Sequence, residues 1–150
     1  MKRYLALFLS FCLLMALLPF GAFAEFQSDD IIYLEDGSYI SISIEEAQTK
    51  ASGTRTGSKT YNHYNSADEL LWKAVLTGTF TYNGTSAACT ASSSAVTIYD
   101  SSFFEVSKTA TKSGNTAYTT VSIGRKFLGI TVAKNDYSIS LSCDKNGVLS

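Results

Sequence analysis

One proline, one histidine, one tryptophan, two methionines and three cysteines are among the residues this chain of 150 holds least of. Pro19 and both methionines, Met1 and Met15, fall within the first 24 residues, so the rest of the chain has neither residue type. Without recurrent proline or a Gly-x-y period, collagen and polyproline architectures are excluded, and no heptad is sustained long enough for a coiled coil. A net charge of -1 excludes a strongly basic nucleic-acid binder. One histidine and few cysteines cannot assemble a zinc site. No phosphate-cradling glycine loop occurs, and no Gly-x-Ser-x-Gly elbow. Beyond the N-terminal segment, no apolar run approaches membrane-spanning length.

That N-terminal segment is itself informative. Lys2 and Arg3 precede an apolar stretch from Tyr4 to Leu18 broken only by Ser10; Pro19 and Gly21 follow, then Ala22-Phe23-Ala24. Basic start, apolar centre and small residues at the peptidase-read positions make a secretory signal over residues 1–24, with cleavage expected between Ala24 and Glu25. Cys12 belongs to the apolar centre, because Phe11 is too large to precede a lipidated cysteine. The expected product is secreted and extracellular, with no membrane span after cleavage.

The remaining 126 residues hold 36 Ser and Thr, interleaved with Val, Ile, Tyr and Phe, which is strand composition. Charge is uneven. Residues 25–46 carry seven acids and no Lys or Arg, whereas residues 47–150 carry ten basic and six acidic residues. Asp36-Gly37 lies between two β-prone runs, Ile31–Glu35 and Ser38–Ile44, a hairpin signal. Ile32, Leu34, Ile40, Ile42 and Ile44 are expected to share its apolar face, which must be covered in cis or by a second molecule. Residues 48–60 have no apolar period and read as a basic flexible linker. From residue 61 to 150, about seven short strands are expected, among them Leu70–Tyr82, Phe103–Thr111, Ala117–Ile123, Phe127–Ala133 and Ser138–Cys143. Turns are expected at Asn83-Gly84, Gly124-Arg125-Lys126 and Asn135-Asp136. The fold class is all-β, an antiparallel sandwich of Ig-like type or a small barrel.

The run Trp72-Lys73-Ala74-Val75-Leu76-Thr77-Gly78-Thr79-Phe80-Thr81-Tyr82-Asn83-Gly84, with Ala88-Cys89, Lys108 to Ala117 and the hairpin Leu34 to Ile40, resembles a recurrent group of small secreted proteins from Gram-positive Firmicutes with no known activity. The resemblance implies a secreted β domain and supplies no ligand or site.

Cys89 and Cys143 are the even pair left after cleavage, and in a secreted chain they are expected to form a disulfide. The enclosed loop of about 54 residues would stabilise the fold by about 4 kcal/mol. No catalytic, metal or cofactor residue is identified. His63, in Tyr61-Asn62-His63-Tyr64-Asn65, has no recognisable partner and reads as a surface histidine. Asp144-Lys145-Asn146-Gly147 lacks the further ligands of a calcium loop and reads as a turn. Glu45 and Glu46 are adjacent on a strand and point to opposite faces, unsuited to paired acid catalysis. Tyr61, Tyr64, Tyr82, Tyr99, Phe103, Tyr118 and Tyr137 are either a recognition surface or ordinary sheet packing. Two functions follow. The first is a non-enzymatic β-domain binding a protein or cell-wall glycan; the second is an effector or bacteriocin-like protein acting on bacterial envelopes.

Overall fold

Alternation of apolar and hydroxyl residues carries most of the chain into strands. The computed structural model describes residues 30–47 and 53–150; the expected signal segment, its expected cleavage site and residues 48–52 of the expected linker lie outside them. Within the described residues are eight strands and no helix: β1 (Asp30–Tyr33), β2 (Tyr39–Ala47), β3 (Thr54–Tyr64), β4 (Leu70–Tyr82), β5 (Ala87–Ile98), β6 (Phe103–Ser113), β7 (Thr116–Phe127) and β8 (Ile130–Ser142). They form a five-stranded sheet, β1-β2-β3-β4-β5, and a three-stranded sheet, β6-β7-β8. Every pairing is antiparallel and joins consecutive strands. The sheets stay open and face each other as a sandwich, so the barrel alternative is not the one formed.

The core lies where β4 meets β7 and β8. Trp72, Ala74, Leu76 and Phe80 alternate inward along β4, as the period of two requires. They meet Ala117, Val121 and Ile123 of β7 and Ile139 and Leu141 of β8. Gly78 belongs to the same face because the Phe80 ring folds over it: a Cβ there would lie 2.6 Å from Phe80 Cζ.

Several segments differ from the sequence reading. Thr54–Thr60, read as linker, is the first half of β3, paired with β2 on one side and β4 on the other. Hydroxyls replace apolar side chains there: Thr56 and Ser58 meet Thr79 and Thr77 of β4 across 3.1 and 2.8 Å. The acidic hairpin is therefore no separate unit. Its two strands are the outer members of the large sheet, docked in cis with Ile40 fully in the core and Ile42 and Ile44 partly so. Ile32 is left exposed on β1, an outermost strand that pairs only with β2 and is exposed throughout.

Gly124-Arg125-Lys126 is not a bend but part of β7. The glycine is needed for close approach, since the Phe104 ring sits where its Cβ would be, 2.3 Å from Cζ. The chain reverses instead at Leu128-Gly129, both with positive φ (51° and 80°). Asn135-Asp136, read as a turn, runs straight through β8. Ala87–Ala91 and Val96–Tyr99, which read in the sequence as two short strands, are joined through Ser92-Ser93-Ser94 into the single strand β5, which ends at Ile98.

Candidate functional site

Three Asx-type turns gather at one end of the sandwich. In the β1–β2 turn, Gly37 (φ +79°) lets Leu34 N–H reach the Ser38 carbonyl at 2.8 Å. Asp36 Oδ1 accepts from Ser38 N–H at 3.1 Å and from the Ser38 hydroxyl at 2.5 Å. After β3, Asn65 Oδ1 accepts from Ala67 and Glu69 N–H. After β5, Asp100 Oδ1 accepts from Ser102 N–H at 2.8 Å. Between these turns and the strands β7 and β8 lies a cavity of about 280 Å³, lined by Asp36, Ser38, His63, Asn65, Asp100, Ser102, Phe103, Arg125, Asn135 and Tyr137 among others.

His63 is buried, not on the surface as its polar neighbours suggested, because β3 continues through it and pairs it with Trp72 of β4. Its ring meets Trp72 edge-on at 5.1 Å and Phe103 at 6.1 Å. Nε2 lies 3.1 Å from Ser38 Oγ. A serine hydroxyl has one proton to give, and Ser38 gives it to Asp36. His63 Nε2 must then be the donor, which leaves Nδ1 as a bare acceptor. Nδ1 is buried and has no hydrogen-bond partner.

The order of this chain decides its chemistry. In a Ser-His-Asp hydrolase the carboxylate steadies the imidazole and the imidazole takes the serine proton. Here the carboxylate accepts the serine hydroxyl's hydrogen bond, and the far imidazole nitrogen meets no carboxylate. Ser38 is thus tied into its own turn, and the arrangement suits holding a ligand better than attacking one.

Electrostatics agree with that. Burial, aided by Arg125, pushes His63 below its ordinary pKa of 6.5, against the pull of Asp36. The Ser38 hydroxyl and amide hold Asp36 below the usual carboxylate range, and the Ser102 amide and hydroxyl do the same for Asp100. Arg125 stacks its guanidinium 5.7 Å from the Phe103 centroid and has no ion-pair partner among the described residues. The cavity therefore offers one unpaired cation, two fixed anions and a buried acceptor.

A pH dependence follows for the chain's one histidine. The unfolded chain takes up this proton near 6.5, whereas the folded chain takes it only lower, so stability falls as pH drops below about 6.5. The slope has a ceiling of about 1.4 kcal/mol per pH unit. The lowered carboxylates contribute only further down, as pH falls through the region below 3.8. Urea midpoints at pH 7.5 and 5 check this: a drop is expected in the native chain and little in His63→Gln, and equal drops would show that other groups carry it.

Of the aromatic residues singled out in the sequence, Phe103 and Tyr137 line the cavity, and Tyr137 also packs on Trp72 at 4.8 Å. Tyr61 and Tyr82 pack on the core. Tyr64 stacks on Tyr39 at 5.0 Å. Tyr99 and Tyr118 are exposed and lie apart from the cavity. Asp36, Ser38, Asp100, Ser102 and Arg125 carried no chemical signal in the sequence; Asp-x-Ser at 36–38 and 100–102 marks turns, not neighbours. Glu46 pairs with Arg55 across the β2–β3 ladder. Asp144 Oδ1 accepts from the backbone N–H of Asn146 and Val148, making 144–147 a turn.

Cys89 and Cys143, expected to form a bridge, stand in this structure as two buried free thiols. Each sulfur donates to a carbonyl of its own segment, Ala91 and Asp144. Burial raises the pKa of both. The two residues nonetheless share one turn, Cys89 N–H bonding Gly114 and Cys143 N–H bonding Asn115.

No family model, curated protein or solved structure matches this chain.

Proposed function

We propose that the chain is a secreted, non-enzymatic β-domain that binds a cell-wall glycan in the cavity at its turn-rich end. The observation carrying this is the convergence of an unpaired Arg125, the turn-locked carboxylates Asp36 and Asp100, and the bare His63 Nδ1 around two aromatic rings. Sugars present hydroxyl and acetamido groups that need donors and acceptors held in advance, together with an apolar ring face for an aromatic residue. Groups already fixed by their own turns lose little freedom on binding. The Asp36–Ser38–His63 order supports a binding role over hydrolysis.

The test is co-sedimentation of residues 25–150 with purified, lipid-free wall material. The native domain is expected to pellet, and Arg125→Gln to bind at least about tenfold more weakly, since hydrogen bonds to a charged group contribute about 1.5–3 kcal/mol. Equal binding by both, or none by the native domain, overturns the reading. Secretion also implies that the two core thiols lose two hydrogens to an extracellular disulfide oxidant. Mass spectrometry of medium-derived protein reads both points, an N-terminus at Glu25 and a mass short of two hydrogens; reactive Cys89 and Cys143 in non-reduced protein would refute the bridge.

A further inference from the structure

The β7–β8 hairpin leaves the body of the sandwich. Consecutive strand residues point to opposite faces, yet every residue from Arg125 to Asp136 is exposed. Beyond Arg125, Ala133 and Asn135, which border the cavity, both faces of this hairpin therefore stand in solvent. Its tip is apolar: Phe127 is 67% exposed, Leu128 87%, Ile130 69% and Val132 57%. Among the described residues no other short segment exposes so many large apolar side chains to this extent.

The turn chemistry sharpens the point. Leu128 adopts φ 51° and Gly129 φ 80°. That left-handed pair is the natural place for Asn-Gly, because Asn tolerates the first position and a larger side chain is strained there. The fold gains little from a leucine at Leu128, which is 87% exposed and sits in an unfavourable conformation. Charge supplies the second feature. Between Gly124 and Lys134 there are three cations, Arg125, Lys126 and Lys134, and no acid, in a chain whose net charge is -1.

From these features we propose that the hairpin tip inserts into an anionic lipid surface. At about 3.3 Å per strand residue, Leu128 lies about 7 Å beyond Lys126. That offset matches the depth of about 5–10 Å at which apolar groups rest below the headgroups, leaving Lys126 at headgroup height, with Arg125 one residue and Lys134 two residues further out along the ladder. A tip bare on both faces is covered completely by a fluid phase, whereas a protein groove would cover one face. The docking does not rest on the glycan reading, and the wall assay above contains no lipid, so each fails independently.

Flotation of residues 25–150 with vesicles of phosphatidylglycerol and phosphatidylcholine, and with phosphatidylcholine alone, tests the proposal. The native domain is expected to float with the anionic vesicles, to be released by salt as screening removes the attraction, and to bind neutral vesicles at least about fivefold less, the factor for one kcal/mol from a single basic residue. Leu128→Asn, which suits the turn, and Leu128→Asn/Ile130→Thr are expected to keep or raise the thermal midpoint while losing flotation about tenfold or more. Unchanged flotation in the double variant, or no flotation of the native domain, overturns the proposal. So does a dimer in sedimentation velocity that Leu128→Asn disperses without any vesicle binding, since the tip would then serve a second copy.

Discussion

Trp72→Ala is expected to lower the free energy of unfolding by about 3–5 kcal/mol, the usual range for truncating a fully buried aromatic side chain. Trp72 has no exposed surface and stands at the join between core and cavity. Its indole packs edge-on with the His63 ring at 5.1 Å and tilted against the Tyr137 ring at 4.8 Å. Its Nε1–H has no hydrogen-bond partner, so part of its packing gain is offset by a desolvated donor. Trp72→Phe removes that donor with much of the ring retained, and its loss should be clearly smaller than that of Trp72→Ala. Urea unfolding followed by circular dichroism is the appropriate measurement, because Trp72 is the chain's one tryptophan. A loss below about 1 kcal/mol for Trp72→Ala would mean that the sheets close over the gap, contrary to ordinary core behaviour.

The same residue shows what the sequence makes legible. Period-two alternation over Leu70–Tyr82 places Trp72, Ala74, Leu76 and Phe80 on one face, and all four are buried there. Ile139, Leu141 and Cys143 follow the same rule. Such strands declare themselves because their energy comes from apolar side chains. β3 does not, because its first half is held by backbone pairing on both sides and by hydroxyl contacts with β4, for which Thr and Ser give no more signal than a linker. Glycine misleads for a related reason. Gly124 reads as a bend, yet it serves to admit the Phe104 ring, and the reversal falls on Leu128-Gly129, where a leucine hides the turn.

The cavity was the least legible part. Asp36 and Asp100 are 64 positions apart and meet only because the β1–β2 turn and the β5–β6 turn fall at the same end of two facing sheets. Each is a recognisable Asx turn by itself. Their joint charge about Arg125 depends on strand lengths and sheet order, which local pattern does not contain. His63 reads as a surface residue from its polar neighbours, although its register partner is Trp72.

Leu149→Ala is expected to cost about 2–5 kcal/mol, a large effect for the penultimate residue of the sequence. After the turn at 144–147 the chain doubles back: Cys143 bridges Leu149, and Ser142 and Ser150 exchange backbone hydrogen bonds at 2.9 and 3.0 Å. This returns the Leu149 side chain, 1% exposed, into the sandwich against Gly57 of β3. The fit is close enough that a Cβ on Gly57 would lie 2.1 Å from Leu149 Cδ1. Gly57→Ala should therefore destabilise the native chain, yet do so less once Leu149→Ala has vacated the space. Some cost should remain, because the Glu45 carbonyl stands 3.1 Å from the same position. Contacting residues of this kind show coupling of about 0.5–3 kcal/mol. Urea midpoints of the two single variants and the double variant measure it, and strictly additive losses would show that Leu149 does not occupy the groove over Gly57.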